Sequence, residues 1–180
     1  MTTKAHPTIE DLYNVPDKGK AEVMNGKVVR MSPTGDLPGR AGGIIYASLL
    51  EYERRHKSGY AYPDNVGFIV NLPRRRSFSP DAAFYTGKRT GMKFLEGAPV
   101  FAVEVRSEKD YGPRAKARLA RKRRDYFAAG SLVVWDVDLL SNEVIRVYRA
   151  NDLTHPTIYR CGETAEAEPA VPGWTLPVDA

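Results

Sequence analysis

Two short acidic motifs, Ser79-Pro80-Asp81 and Val103-Glu104-Val105-Arg106, have the residue types that phosphodiester chemistry uses. Each acid stands at the polar edge of an otherwise apolar run, Asp81 to Tyr85 and Pro99 to Val105. An ionised carboxylate in a buried strand is costly unless a cation or a hydrogen-bond network meets it. A divalent metal held between Asp81 and Glu104, with Lys122 of the following basic helix close by, would supply that charge and suit hydrolysis of a phosphodiester. Glu104 is the harder of the two to explain otherwise, because Phe101-Ala102-Val103 before it and Val105 after it read as buried on both faces. Asp81 by itself has a plainer reading, a strand-start aspartate capping its own backbone.

Helical phase singles out Lys122. At 3.6 residues per turn, Ala115, Leu119, Lys122, Tyr126 and Ala129 share one stripe, while Arg121, Arg123 and Arg124 point elsewhere and suit a solvated face. A lysine in the packing stripe either snorkels to the helix edge or meets a carboxylate inside, and Glu104, on the strand that feeds this helix, is the expected partner. Glu22 is a third acid, inside the alternating run Ala21-Glu22-Val23-Met24; an exposed edge position is expected for it unless the hairpin covers the same cleft. Asp136 and Asp138 are assigned to turn chemistry before Leu139. His6, His56 and His155 are scattered without ligand spacing, and no Ser-His-Asp order or glycine-rich phosphate loop is present.

These residues need elements to hold them. Thr8, with Asp11 three residues on, caps a short helix ending before Pro16. Lys20 to Met24 and Lys27 to Met31 alternate around Asn25-Gly26, a hairpin signal. Ala41, Ile45, Leu49 and Tyr52 recur at helical spacing, predicting a helix from Arg40 to Lys57 that Gly59 ends. Tyr60 to Tyr62, Val66 to Leu72 and Asp81 to Phe84 are strands, with a loop from Pro73 to Ser79. Pro99 to Val105, a helix from Pro113 to Ala129 stopped by Gly130, and Leu132 to Val137 form a strand-helix-strand crossover, which predicts parallel neighbours joined right-handedly. Glu143 to Tyr148 pairs antiparallel with the last of these, and short strands follow at Thr157 to Arg160 and Trp174 to Leu176. The fold class is α/β, a mixed β-sheet flanked by helices, in one domain over residues 1–180.

Composition agrees with an ordinary globular domain. The 180 residues are 42% hydrophobic and 27% charged, enough chain to bury roughly 70% of its unfolded surface. Cys161 is the single cysteine, so neither an internal disulfide nor a thiolate zinc cluster can form within the chain. The first ten residues lack an apolar core segment, and the longest uncharged run, Ala41 to Leu50, is far shorter than a bilayer span; a cytoplasmic protein is expected. The formal charge of +5 is uneven. Arg74, Arg75 and Arg76 precede the Asp81 strand, and six cations from Lys116 to Arg124 crowd the helix after Glu104. Such a field attracts a polyanion.

In their order, these segments resemble the Uma family, bacterial proteins grouped with restriction endonucleases and carrying the PD-(D/E)XK nuclease-like fold. The likeness rests on Ala21 to Pro33, Val66-Gly67-Phe68, Ser79 to Phe84, Val103 to Ser107, Lys122 to Gly130, Val133 to Asp138 and Val171 to Leu176. The resemblance implies a restriction-endonuclease-like core, Asp81 and Glu104 as metal-binding acids, Glu22 as an accessory acid and Lys122 as the lysine. In the wider superfamily that lysine commonly follows the second acid by two residues, where this chain has Arg106, so the amine is expected to come from the helix. Many relatives carry a histidine where this chain has Asp36-Leu37-Pro38-Gly39. The reading that follows is Mg²⁺-dependent (or Mn²⁺-dependent) DNA hydrolysis at Asp81, Glu104 and the Val105 carbonyl, with Arg74, Arg75, Arg76 and Arg106 on flanking phosphates and a homodimer for duplex cutting. The competing reading is a catalytically silent nucleic-acid-binding or regulatory module on the same fold.

Overall fold

A computed structural model describes residues 7–16 and 19–179, so His6 lies outside the described residues. Helix α1 (Ile9–Tyr13) opens as expected: the Asp11 carboxylate accepts from the Thr8 backbone N–H at 2.5 Å and from its hydroxyl at 3.1 Å. Strands β1 (Ala21–Met24) and β2 (Lys27–Arg30) close around Asn25 and Gly26, whose φ values of 50° and 66° are those of the mirror-image turn that matches strand twist. Helix α2 (Asp36–His56) starts earlier than its apolar spacing indicates, because Asp36 and Pro38 suit a first turn whose N–H groups have no partner inside the helix. It ends at Lys57 in the left-handed conformation, φ 54°, not at Gly59.

The chain then runs through β3 (Tyr60–Pro63), β4 (Phe68–Leu72), β5 (Arg75–Phe78), β6 (Ala82–Tyr85), β7 (Leu95–Glu96) and β8 (Phe101–Val105). A short 3₁₀ turn at Glu108–Asp110 leads into α3 (Pro113–Ala128) and β9 (Val133–Val137), followed by β10 (Ile145–Arg149), β11 (Asp152–Tyr159), β12 (Thr164–Glu166) and β13 (Thr175–Pro177). The expected crossover is present: β8 and β9 are parallel neighbours flanking α3, and β10 pairs antiparallel with β9.

The strands form more than the one mixed sheet expected. A six-stranded sheet has the order β11-β10-β9-β8-β6-β3, a five-stranded sheet the order β2-β1-β5-β4-β7, and β12 pairs with β13. The residue run taken for a loop, Pro73 to Ser79, contains β5: Arg75, Ser77 and Phe78 are buried and only Arg76 faces out, so three consecutive arginines conceal a strand.

One face of the six-stranded sheet carries Phe101, Val103 and Val105 of β8 with Val133, Trp135 and Val137 of β9. It is covered by Ile45, Leu49 and Tyr52 of α2 and by the C-terminal segment, where Trp174 lies 5.2 Å from Trp135 and 5.6 Å from Phe101, centroid to centroid. The opposite face carries Ala83, Ala102 and Val134 and meets Phe68, Val70 and Phe78 of the five-stranded sheet, with Tyr126 of α3 stacked on Phe78 at 3.9 Å. That second face holds the polar residues of interest.

Candidate active site

Strand alternation carries the acids onto one face in a row. Glu104 of β8 and Asp136 of β9 are register partners, so their side chains are neighbours on the face that meets α3. Asp81 stands just before β6, where its N–H donates to the Val103 carbonyl at 2.9 Å, one step beyond the Ala82–Val103 pair and therefore beside Glu104. Its Oδ2 accepts the Val105 N–H at 2.7 Å, which ties the two motifs together through backbone as well as side chain. Helix α2 passes close behind: a Cβ on Gly42 would sit 3.4 Å from the Asp81 carbonyl oxygen.

Lys122 points inward from α3. Its Nζ lies 2.8 Å from Glu104 and 3.0 Å from Glu22 Oε1, and the Tyr126 hydroxyl, one turn on, donates to Glu104 Oε1 at 2.6 Å. Glu22 is not an exposed edge residue. Strand β1 lies between β2 and β5, and Glu22, 2% exposed, also accepts from Arg75 at 2.6 Å and from the Ser79 N–H at 2.8 Å. Burial alone would raise both glutamates, but the Lys122 and Arg75 cations and the Ser79 N–H bring Glu22 below its ordinary value. Glu104 goes the other way: burial and the neighbouring Asp81 and Glu22 charges outweigh Lys122 and raise it. Burial would lower Lys122, yet Glu104 and Glu22 raise it, so the amine is held charged; Tyr126 is raised well above its ordinary value by burial and by Glu104.

The residue that sequence reasoning missed is Lys20. It continues the hairpin beyond β1, its carbonyl accepting the Met31 N–H at 2.9 Å, and alternation points it the same way as Glu22. Its Nζ reaches Asp81 Oδ1 at 2.8 Å and Asp64 Oδ1 at 2.6 Å. Burial opposes its charge, but Asp81 and Glu104 more than compensate and raise its pKa. The available signal was the two-residue spacing from Lys20 to Glu22 in an alternating run, which places both on one side once Glu22 is known to face inward.

The arginines divide differently from expectation. Arg75 is 3% exposed and bound to Glu22 and to Asp125 (2.9 Å), so its guanidinium is already paired inside and braces β1 and α3. Arg106 is likewise committed: Nε and Nη2 form a bidentate pair with Asp136 at 2.7 and 2.8 Å, and Nη1 reaches Asp138 at 3.1 Å. Asp136 also takes Arg123 at 3.2 Å and Asp138 the Tyr111 hydroxyl at 2.9 Å, so these aspartates anchor a charged network; Asp138 does cap its turn, accepting the Leu140 N–H at 3.1 Å. Arg74 and Arg76 are exposed.

Oxygen donors of this kind suit a hard divalent cation. Asp81 and Glu104 lie side by side, and each carboxylate offers about four lone-pair sites, only some of which the donors above use. The buried hydroxyl of Ser79, whose backbone N–H holds Glu22 and which stands two residues before Asp81, has no hydrogen-bond partner among the described residues. No cluster of three or more His, Cys, Asp or Glu side chains suited to a metal occurs among them. Asp81 and Glu104 are the side-chain donors that could meet such an ion, and the rest of its shell would have to come from other oxygens and water.

A family model described as "Putative restriction endonuclease", Uma2, matches residues 7–179. The chain belongs to the Uma2 family. The fold of this Uma2 protein is also that of the crystal structure of a "putative nuclease" from Anabaena variabilis ATCC 29413, with TM-score 0.73, 12% identity and coverage of 96% of each chain. No curated protein gives a significant match. No helix among the described residues is long and apolar enough to cross a membrane.

Proposed function

We propose that this Uma2 protein is a metal-dependent endonuclease hydrolysing DNA phosphodiester bonds. The observation that carries the reading is the delivery of Lys122 from α3 onto Glu104 and Glu22, beside Asp81, with Arg106 drawn away to Asp136. An ammonium thus reaches the acids from the helix while the strand position two residues after Glu104 serves the fold. Asp81, Glu104 and the Val105 carbonyl are the groups that would hold Mg²⁺ or Mn²⁺. The chemistry such an ion supplies is polarisation of the phosphate and a lower pKa for the attacking water.

The chain's own groups do the rest. Glu22, Arg75 and Tyr126 fix the rotamers of Lys122 and Glu104 through short hydrogen bonds, so that little reorganisation is needed when charge develops. Lys122 has three N–H donors, and the carboxylates leave it able to orient a water or a phosphate oxygen. Lys20 adds a second positive charge on the Asp81 side. Cutting both strands of a duplex calls for two such sites, for which a two-fold dimer is the simplest arrangement, and DNA as substrate goes with a cytoplasmic location.

A silent binding module has one observation in its favour: Lys20, Lys122 and Arg75 already balance Asp81, Glu104 and Glu22, so the fold needs no metal to tolerate its acids. Plasmid cleavage in Mg²⁺ or Mn²⁺ by the natural protein, Asp81→Ala and Lys122→Ala separates the readings. Loss of at least 100-fold in rate is expected for both variants on the scale of a lost electrostatic group, roughly 10²–10³. Cleavage by Asp81→Ala at the natural rate would overturn the site; DNA binding without cleavage in either metal would favour the module.

A further inference from the structure

Three arginines of helix α3 share one stripe that the site does not use. Arg114, Arg118 and Arg121 follow one another at i, i+4 and i+7 along one stripe, and the same stripe continues to Asp125, which holds Arg75. Like charges at this spacing destabilise a helix by about 0.2–0.5 kcal/mol per pair. Among the described residues only Arg118 of the three has a compensating carboxylate, Asp110 at 2.8 Å, and the Arg118 side chain is itself half exposed. Beside the stripe lies a groove of about 350 Å³, which Met24 and Asn25 of the hairpin and buried Arg75 also line. The Asn25 N–H donates to the Arg74 carbonyl at 2.7 Å, so the turn bearing exposed Arg74 runs alongside the same tip.

We infer that this groove holds the phosphodiester backbone flanking the scissile phosphate, with Arg114, Arg118 and Arg121 as its phosphate-binding wall. The inference rests on the DNA reading above and locates that substrate on the molecule. Its chemistry fits a polyanion with alternating charge and sugar: guanidinium groups present paired donors to phosphate oxygens, while Met24 and Ala117 offer short apolar patches to the sugars. Its position fits too. Arg75 lines the groove and binds Glu22, and Glu22 binds Lys122, so a continuous chain of ion pairs links the groove to the acids. Arg76, on the opposite side of β5 from Arg75, faces away and takes no part.

The test is fluorescence anisotropy with labelled DNA across a salt series, in Ca²⁺ to allow binding without turnover. The triple variant Arg114→Gln/Arg118→Gln/Arg121→Gln keeps the side-chain stems and helix propensity. Its affinity should fall at least tenfold, and the slope of log affinity against log salt should shrink by about 2 to 3, the value for three lost phosphate contacts at roughly 0.9 each. The triple Arg→Lys variant should recover most of the slope, and Arg54→Ala/Lys88→Ala, exposed cations elsewhere, should leave it nearly unchanged. A triple Gln variant that binds like the natural protein would overturn the groove and leave the DNA reading standing. So would an equal loss in the Arg54/Lys88 variant, which would mean net charge alone. Absence of salt-dependent binding by the natural protein would sink the DNA reading and this occupant with it.

Discussion

At the scale of single residues, the site is a charge-balanced cluster whose members differ in what they do. Glu22 is the most heavily supported: two cations and a backbone N–H act on one buried carboxylate. Because its pKa in the folded protein lies below the ordinary 4.5, the unfolded chain takes the proton first. The stability it contributes is thus present above about pH 4.5 and lost as pH falls through the folded value. Glu22→Gln should cost about 3 kcal/mol at pH 7, the low end for breaking a buried pair because Asp125 and Glu104 still engage the two cations. The gap to the natural protein should narrow steadily below pH 4.5, as urea midpoints at pH 7, 5, 4 and 3 would show; a constant gap would remove Glu22 from the cluster. Lys122 and Glu104 were legible because a charge in an apolar stripe or strand is anomalous. Lys20 and the burial of Glu22 were not legible in the run itself, since an alternating run is equally at home on an exposed edge and only the position of β1 inside its sheet decides; Glu22 was named an accessory acid by the family resemblance alone.

Secondary-structure elements were legible where local physics is strong. The Asn25-Gly26 hairpin, α3 with its Gly130 stop and the β8–α3–β9 crossover all follow from turn chemistry and periodicity. The strand β5 was hidden because its buried members include an arginine that only partners distant in sequence, Glu22 and Asp125, make tolerable. Gly59 shows a related mismatch: it was read as the stop of α2, yet Lys57 adopts the left-handed cap. The glycine serves packing instead, since a Cβ there would come within 2.6 Å of the Phe84 ring and 2.8 Å of the Tyr85 carbonyl oxygen. Gly59→Ala should therefore destabilise by about 1–3 kcal/mol, the usual cost of overpacking, with the thermal midpoint as readout. An unchanged midpoint would mean that β3 shifts freely against β6.

Over the whole molecule, the layering was only partly legible. One mixed sheet with helices was a fair reading of the β8–β9 region, but nothing local announces that β1, β2, β4, β5 and β7 gather into a separate sheet against the other face. That arrangement is what brings the hairpin's Lys20 and Glu22 over Asp81 and Glu104. On the opposite face the C-terminal segment closes the core: Trp174 packs on Trp135 and Phe101, its Nε1 donates to Ser48 Oγ at 3.0 Å, and the Pro172 carbonyl accepts the Tyr52 hydroxyl at 2.8 Å. Trp174→Ala should cost about 3–5 kcal/mol by emptying a buried site, measured by denaturant unfolding. A cost below about 1 kcal/mol would mean the segment is not part of the core. Trp135 and Trp174 are also the chain's two tryptophans, both buried and touching. Tryptophan emission, excited selectively over the ten tyrosines, therefore comes from a single spot on the face away from the acids: it would report release of the C-terminal segment and not direct contact of a ligand with the acids.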